Sequence, residues 1–230
     1  MMTFNRNDPS TWPDMKPTII AHDVARSHDR STAVVGGLSY YQPRLFGIAH
    51  LEELPLGLSG SERANALAEV DRRYYSNALI VADLSNDASY AEDLWHMFGH
   101  RIVGVHITWR GDGINFERRP VPGGAILVYS IGRTTLIENY LAEMERGDMR
   151  IVNNEMSRRA YQQLAELEVV DKDTGRFYNC VSGRHDDLWI SCAMLAWAAR
   201  HPHLPSWVGT YERSRIIRKR KPAPSSLGWT

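Results

Sequence analysis

The sequence has no long hydrophobic run and no net charge. None of its apolar stretches approaches the ~20 residues that cross a bilayer, and the polar, proline-broken N-terminus MMTFNRNDPSTWPDMKP does not predict a signal peptide. We therefore expect no membrane partner. The formal net charge of the 230 residues is +0, so attraction to a nucleic acid would have to come from local basic clusters.

Cysteine is also scarce. The two cysteines, Cys180 and Cys192, lie in apolar surroundings, and there is no CxxC motif. This usage is typical of buried thiols in a reducing compartment. The apolar fraction of 43% is ordinary for a globular protein with a real core, and the length predicts one domain with arms.

The two ends of the chain differ from its centre. Prolines and turn-forming residues in 1–16 predict a flexible arm or linker, and 17–210 carries the periodic patterns of a folded domain. Residues 211–230 predict a flexible basic tail, whose charged residues are Arg213, Arg215, Arg218, Lys219, Arg220 and Lys221.

The first half of the domain predicts a mixed sheet. Three strands joined by short turns form an antiparallel meander, and a strand–helix–strand unit then adds a parallel pair with a right-handed crossover. The strands are predicted at Thr18–Ala25, Thr32–Leu38, Arg44–Leu51, Asn77–Asp83 and Arg101–His106, with helices at Ser59–Ser76 and Tyr90–Phe98.

The second half is predicted to be mainly helical. Residues 107–129 contain Gly- and Pro-rich segments that favour loops. Helices are expected at Ile131–Arg146 and Glu155–Leu167, on either side of a short strand, and an edge hairpin is expected near Phe177–Cys180. A last helix follows Asp187, with an apolar stripe at Leu188, Cys192, Leu195, Ala196 and Ala199.

Acidic residues lie at the ends of two predicted strands and at the start of the last predicted helix. Asp23 and Asp83 end apolar strands, and Asp186 and Asp187 begin the last helix. The first and fourth strands are expected to be neighbours, because the connection direction reverses between them, and such a switch point is where open sheets bind ligands. The last helix has to bury its stripe on the same sheet, so all four carboxylates are expected to meet.

Each acid also has a simpler interpretation. One Asp before a helix can cap its free backbone N–H groups. Two adjacent aspartates leave the second one without a capping role. Asp23 and Asp83 could be turn residues at strand ends. The convergence of three separate segments favours a joint role.

Carboxylates that meet without matching cations raise one another's pKa. A divalent cation resolves this repulsion, and Mg²⁺ prefers oxygen ligands. Two such ions, about 3.5–4 Å apart, could activate a water and stabilise the leaving oxygen of a phosphodiester. We therefore predict Asp23, Asp83, Asp186 and Asp187 as catalytic ligands of Mg²⁺ or Mn²⁺.

Further residues are auxiliary candidates. His185 could orient a carboxylate or a phosphate, and Asp29 is either a further ligand or a hairpin turn residue. Arg133, Arg184 and the basic tail could bind a DNA backbone, although such residues also occur on inert, solvated surfaces.

The order of these motifs resembles the nuclease domain of phage large terminase subunits, in the ribonuclease-H-like superfamily. IIAHDVARSHDRSTAVVGG is similar to the first hairpin of that family, ALIVADLSND to the strand with the second acid, and GRHDDLWISCAMLAW to the closing acidic motif. The resemblance implies an α/β fold with a ribonuclease-H-like mixed central sheet, three antiparallel strands followed by parallel strands, flanked by helices. It differs where relatives have a Lys before a helix and this chain has Arg133.

The resemblance implies a metal-dependent endonuclease that cleaves double-stranded DNA during viral genome packaging in the host cell cytoplasm. The chain has no GxxxxGK[ST] phosphate loop, so it is either an excised or separately encoded nuclease domain, or a relative that only cuts. The partners to expect are double-stranded DNA and, for a packaging nuclease, a separate ATPase motor chain, the small terminase subunit and the portal. The alternatives are a Holliday-junction-resolvase-like nuclease of the same superfamily and a non-catalytic DNA-binding or assembly module.

Overall fold

The structure is a computed structural model that describes residues 18–24, 30–38, 45–74, 77–85, 88–109, 111–147, 149–172, 175–180 and 186–204. The predicted arm (1–16) and basic tail (211–230) lie outside these residues, so both stay sequence predictions. No helix in the described part is long and apolar enough to cross a membrane.

Strands and helices alternate along most of the described chain. The strands are β1 (Ile19–Asp23), β2 (Thr32–Leu38), β3 (Phe46–Glu53), β4 (Leu79–Asp83), β5 (Ile102–Thr108), β6 (Asp112–Val121), β7 (Gly124–Gly132), β8 (Met149–Ile151), β9 (Leu167–Lys172) and β10 (Gly175–Cys180). The α-helices are α1 (Gly60–Tyr74), α2 (Ala88–Phe98), α3 (Arg133–Glu145), α4 (Glu155–Ala165) and α5 (Asp187–Arg200).

Eight strands form one mixed sheet in the order β6-β7-β5-β4-β1-β2-β3-β8. The antiparallel meander β1–β2–β3 is present as predicted. From β1 the sheet continues through parallel pairs with β4, β5 and β7. The prediction that the first and fourth strands are neighbours is confirmed, and the connection direction reverses between them.

Alternate residues of the central strands contribute to two separate cores. Ala21 and Val81 belong to the core under α3, α4 and α5, whereas Ile20 and Ile80 belong to the core under α1 and α2. This period-two division is expected for strands covered on both faces. A side chain at the end of a central strand therefore packs against one helix layer or the other, according to the face of the sheet to which it points.

The last helix, α5, is buried on all sides. Every residue from Leu188 to Ala199 is buried, and the helix packs against β1, β2, α3 and α4. The predicted single apolar stripe was therefore too narrow, because neighbours enclose the helix rather than cover one face. The expectation of a buried thiol is confirmed at Cys192, where burial raises the pKa to about 12.

Two parts of the second half differ from the sequence prediction. The predicted loops of 107–129 form most of the hairpin β6–β7, and α3 begins at Arg133 because Ile131 and Gly132 still belong to β7. β6 is mostly exposed, so burial imposes no alternation that a pattern could reveal. The hairpin predicted near Phe177–Cys180 is present, but β9 and β10 form a two-stranded sheet of their own.

Gly36 allows β2, β3 and α5 to pack closely. A Cβ at this position would clash with the carbonyl oxygen of Gly47 and lie 2.8 Å from Cδ2 of Leu195. Because the blocking atom is backbone, we expect Gly36→Ala to lower the free energy of unfolding by about 3 kcal/mol or more. Urea denaturation measures this change.

The matched control is Gly57→Ala. A Cβ at Gly57 would meet nothing within 4 Å, and its φ of 78° carries the only penalty, which is about 1 kcal/mol. Equal losses in the two variants would contradict the close approach at Gly36.

Candidate functional site

Asp23 and Asp83 lie side by side at the carboxyl ends of two parallel strands. β1 pairs with β4 up to His22↔Ala82, so the next residue on each strand is an aspartate. Neighbouring strands are about 4.8 Å apart. Both aspartates continue the row of side chains that contributes to the core beneath α5, and two of the four predicted acids are thereby adjacent.

His22 points to the opposite face, although it precedes Asp23 in the chain. Its Nδ1 lies 2.8 Å from the carbonyl oxygen of Thr32, and its Nε2 lies 2.9 Å from the hydroxyl of Tyr90. Burial lowers the pKa of His22 to about 4. The ring is therefore neutral at pH 7 and does not supply a positive charge to Asp23.

Two hydroxyl groups hold the start of α5 against β1 and β2. The backbone N–H of Asp23 donates to Oγ of Ser191 at 3.1 Å, and this oxygen lies 2.6 Å from Oγ1 of Thr32. The Thr32 hydroxyl donates to the carbonyl oxygen of Asp187 at 3.2 Å. Since Ser191 and Thr32 are buried, these bonds fix the backbone of Asp187 next to the end of β1.

The first turn of α5 is capped by a side chain from α4. Oε1 of Gln163 accepts from the backbone N–H groups of Leu188 at 3.1 Å and Trp189 at 3.3 Å. Asp186 occupies the N-cap position but makes no side-chain cap bond. The simpler interpretation of Asp186 as a helix cap is therefore wrong, because Gln163 satisfies the N–H groups that such a cap would bind.

Asp186 instead forms an ion pair with Arg133. Nη2 of Arg133 donates to Oδ2 of Asp186, and the guanidinium carbon lies 5.5 Å from the centre of the Trp189 ring. Arg133 is the first residue of α3, directly after β7. Since β7 runs parallel to β5, Arg133 emerges at the same edge of the sheet as Asp83.

Asp23 has unfavourable electrostatic surroundings for a charged carboxyl. Burial raises the pKa of its carboxyl well above the ordinary value. The negative charges of Asp83, Asp187 and Asp186 raise this pKa further, in that order, while Arg133 lowers it. The charges of the other three acids and of Arg133 therefore all reach Asp23, as expected for one candidate site rather than scattered surface groups.

Asp83 is oriented by its neighbour Ser85. The backbone N–H of Ser85 donates to Oδ1 of Asp83 at 2.9 Å, and the Ser85 hydroxyl donates to the same oxygen. Burial raises the pKa of Asp83, whereas the Ser85 bonds and the charge of His106 oppose this rise. Because both bonds use one oxygen, they fix the direction of the carboxylate.

The donor chemistry at this edge fits a hard divalent cation, although the present side-chain positions do not form a cage. Carboxylate oxygens are the ligands that Mg²⁺ prefers, and Asp23, Asp83, Asp186 and Asp187 supply them. Within the described ranges, however, no three His, Cys, Asp or Glu side chains are grouped so that they could hold a metal ion. One reason is visible in the geometry, since Asp186 is directed towards Arg133.

Several predicted site residues lie outside the described part of the chain. These are Asp29, Arg184, His185 and the basic tail residues Arg213, Arg215, Arg218, Lys219, Arg220 and Lys221. Of the predicted basic residues, the structure places Arg133 at the site.

The sequence analysis missed four polar residues that position the acids, namely Thr32, Ser85, Gln163 and Ser191. Ser191 had a usable signal, because it is a polar residue four positions after Asp187 in an otherwise apolar helix, and residues at that spacing share a face. Gln163 had no such sequence signal, since it binds the backbone of another helix, α5.

The comparison with solved structures finds similar folds. The large terminase nuclease from thermophilic phage G20c with bound magnesium matches with a TM-score of 0.56 and 19% identity, over 80% of this chain and 82% of that chain. The same nuclease with bound cobalt matches with a TM-score of 0.54 and 18% identity, over 80% and 82%. The Thermus phage P74-26 large terminase nuclease domain matches with 0.52 and 18%, over 81% and 80%.

The chain has the fold of a large terminase nuclease domain. The prediction of a ribonuclease-H-like mixed sheet flanked by helices is confirmed. No protein-family model matches the sequence, and the comparison with curated proteins finds no match either. At this sequence identity the similarity establishes the fold, and the chemistry has to be inferred from the residues of this chain.

Removing the charge of Asp23 should stabilise the protein. Because the pKa of this carboxyl is raised in the folded state, stability is lost as the pH rises from the unfolded pKa through the folded one. At neutral pH, without divalent cations, we expect Asp23→Asn to raise the free energy of unfolding on the order of 1 kcal/mol. Urea denaturation in EDTA measures the change.

Asp112→Asn serves as the control for this measurement. Asp112 is exposed, and hydrogen bonds from the N–H groups of Ile114 and Asn115 lower its pKa, so its substitution should have a small effect of opposite sign. A less stable Asp23→Asn protein would argue against the crowding of charges.

The cap from Gln163 should contribute measurably to stability. We expect Gln163→Ala to lower the free energy of unfolding by about 1 kcal/mol, as for other lost helix caps. Its neighbour Gln162 is exposed and donates to Glu166 at 2.9 Å on the same helix, so Gln162→Ala should cost only a few tenths, about 0.3 kcal/mol. Thermal or urea unfolding of the pair tests this, and equal effects would show that the cap is unimportant.

Proposed function

We propose that the chain is a metal-dependent endonuclease that cleaves double-stranded DNA during viral genome packaging. The observation that carries the proposal is the meeting of Asp23, Asp83, Asp186 and Asp187 at one edge of the sheet. The fold supports it, because similar structures are large terminase nucleases, and one of these nucleases was solved both with magnesium and with cobalt.

The four aspartates would hold the divalent cations, Mg²⁺ or Mn²⁺, with two ions in the site. Such ions activate a water for attack and stabilise the leaving oxygen of a phosphodiester. The chain's own contribution is to fix the oxygen ligands. Ser85 orients Asp83, while Ser191 and Thr32 hold the backbone of Asp187 against β1.

Positive side chains would position the DNA backbone. Arg133 lies at the site, and a guanidinium suits phosphate oxygens. We assign the same role to Arg184 and to the basic residues of 211–230, and a ligand or orienting role to Asp29 and His185. Contacts to phosphates carry little sequence information, so we expect weak sequence selectivity.

The proposed biological setting follows from the same resemblance. Residues 17–210 would form the nuclease domain between an N-terminal arm and a basic tail. Residues 1–230 contain no ATP-binding phosphate loop, so an ATPase motor outside them would drive packaging, together with the small terminase subunit and the portal. This assembly would work in the host cell cytoplasm.

The central test is cleavage of plasmid DNA with Mg²⁺ or Mn²⁺. We expect Asp23→Ala to lower the cleavage rate by at least about a thousandfold, as for other residues on which a reaction depends, and EDTA to abolish cleavage by the wild type. Asp112→Ala, which changes an exposed aspartate that is not one of the four candidate ligands, should cut normally.

The same assay distinguishes the alternatives. Undiminished cleavage by Asp23→Ala would refute the assignment of the site. Strong preference for a four-way junction over linear duplex would favour a junction-resolving nuclease instead. DNA binding without any metal-dependent cleavage would favour a binding or assembly module.

A further inference from the structure

We infer that Arg133 competes with a divalent cation for Asp186, so that exchange of this ion pair controls how readily the site takes up its cation. The inference rests on the proposed function, because it assumes that Asp186 is a ligand. It goes beyond that function in assigning a regulatory role to a residue that was expected only to bind phosphate.

The first support is that the side chain of Asp186 has no second hydrogen-bond partner among the described residues. Gln163 binds the N–H groups at the start of α5, and Asp186 makes no side-chain cap bond there. Its described side-chain bond goes to Arg133. The carboxylate can therefore change partner without exposing the helix end.

The second support is the form of the ion pair. The strongest arginine–carboxylate pairs use two parallel hydrogen bonds. Here one nitrogen, Nη2, contacts Asp186, whereas Nε of Arg133 is buried and has no hydrogen-bond partner among the described residues. The pair thus leaves a buried donor unsatisfied, which costs free energy and makes exchange easier.

The third support is the reach of the Arg133 charge. The guanidinium contacts Asp186, the residue before Asp187, and Arg133 follows β7 at the edge of the sheet where Asp83 ends β4. A divalent cation bound to the same carboxylates would be repelled by this charge at close range. Arg133 and a cation therefore compete for Oδ2 of Asp186, the oxygen that Nη2 contacts.

A DNA phosphate can replace Asp186 as the partner of Arg133 once a cation has taken the carboxylate. Two oxygens of one phosphate can accept hydrogen bonds from Nε and Nη2, in the two-bond geometry that guanidinium prefers. The Trp189 ring, 5.5 Å from the guanidinium carbon, gives the freed side chain an apolar surface at the site. DNA binding and cation binding should then favour each other, because each removes the competing ion pair.

Calorimetric titration of the purified chain with Mn²⁺ tests the inference without relying on activity. In the absence of DNA we expect Arg133→Met to bind Mn²⁺ at least about tenfold more tightly than the wild type. Arg133→Lys keeps the positive charge and should stay near the wild-type affinity. Arg146→Met, which removes an arginine paired with Glu143 away from the site, should leave Mn²⁺ affinity unchanged.

The outcomes separate this inference from the proposed function. If the wild type and Arg133→Met bind Mn²⁺ equally well, the competition is refuted while the metal site stands. If no variant binds Mn²⁺ saturably, the metal-dependent function itself fails. If Arg133→Met does not fold, a wild-type crystal soaked in Mn²⁺ decides, because a cation on Asp186 together with an intact Arg133–Asp186 contact would overturn the inference.

Discussion

The negative charges of four half-buried aspartates at one edge of the sheet repel each other, and this fold has to keep them together against that repulsion. The parallel pairing of β1 and β4 places Asp23 next to Asp83. The hydroxyls of Ser191 and Thr32 then fix the start of α5 at the same point. Burial and crowding raise the pKa of Asp23, which is a cost that the surrounding packing has to offset. Clusters of like charges are common at functional sites, where a cation or a substrate supplies the compensating positive charge.

The central part of the fold could be predicted from the sequence because it is buried on both sides. The continuous apolar run of β4 and the apolar periodicity of α1 follow directly from burial. The hairpin β6–β7 could not be found in this way, since β6 is largely exposed and its residues are under no alternating constraint. The extent of burial of α5 was also underestimated, because sequence periodicity does not reveal how many neighbours enclose a helix.

The acids of the site were predictable for a similar reason. Asp23 and Asp83 end apolar strands, and the predicted parallel pairing of these strands placed both residues at one edge. Their partners were not predictable from the sequence, since a residue such as Gln163 accepts a hydrogen bond from the backbone of a different helix. Arg133 was predicted as a phosphate contact, but its observed partner, Asp186, lies 53 positions away in sequence, and no local pattern connects the two.

The position of β6 at one end of the sheet also affects how the protein behaves in concentrated solution. An edge strand presents backbone groups that can join the edge of a second molecule, and the exposed side chains of Ile114 and Phe116 add apolar surface there. Pro120 lacks the N–H that such an edge would offer, and the neighbouring Arg118 adds charge. Pro120 and Arg118 in the second half of β6 therefore work against pairing of this edge with the edge of a second molecule.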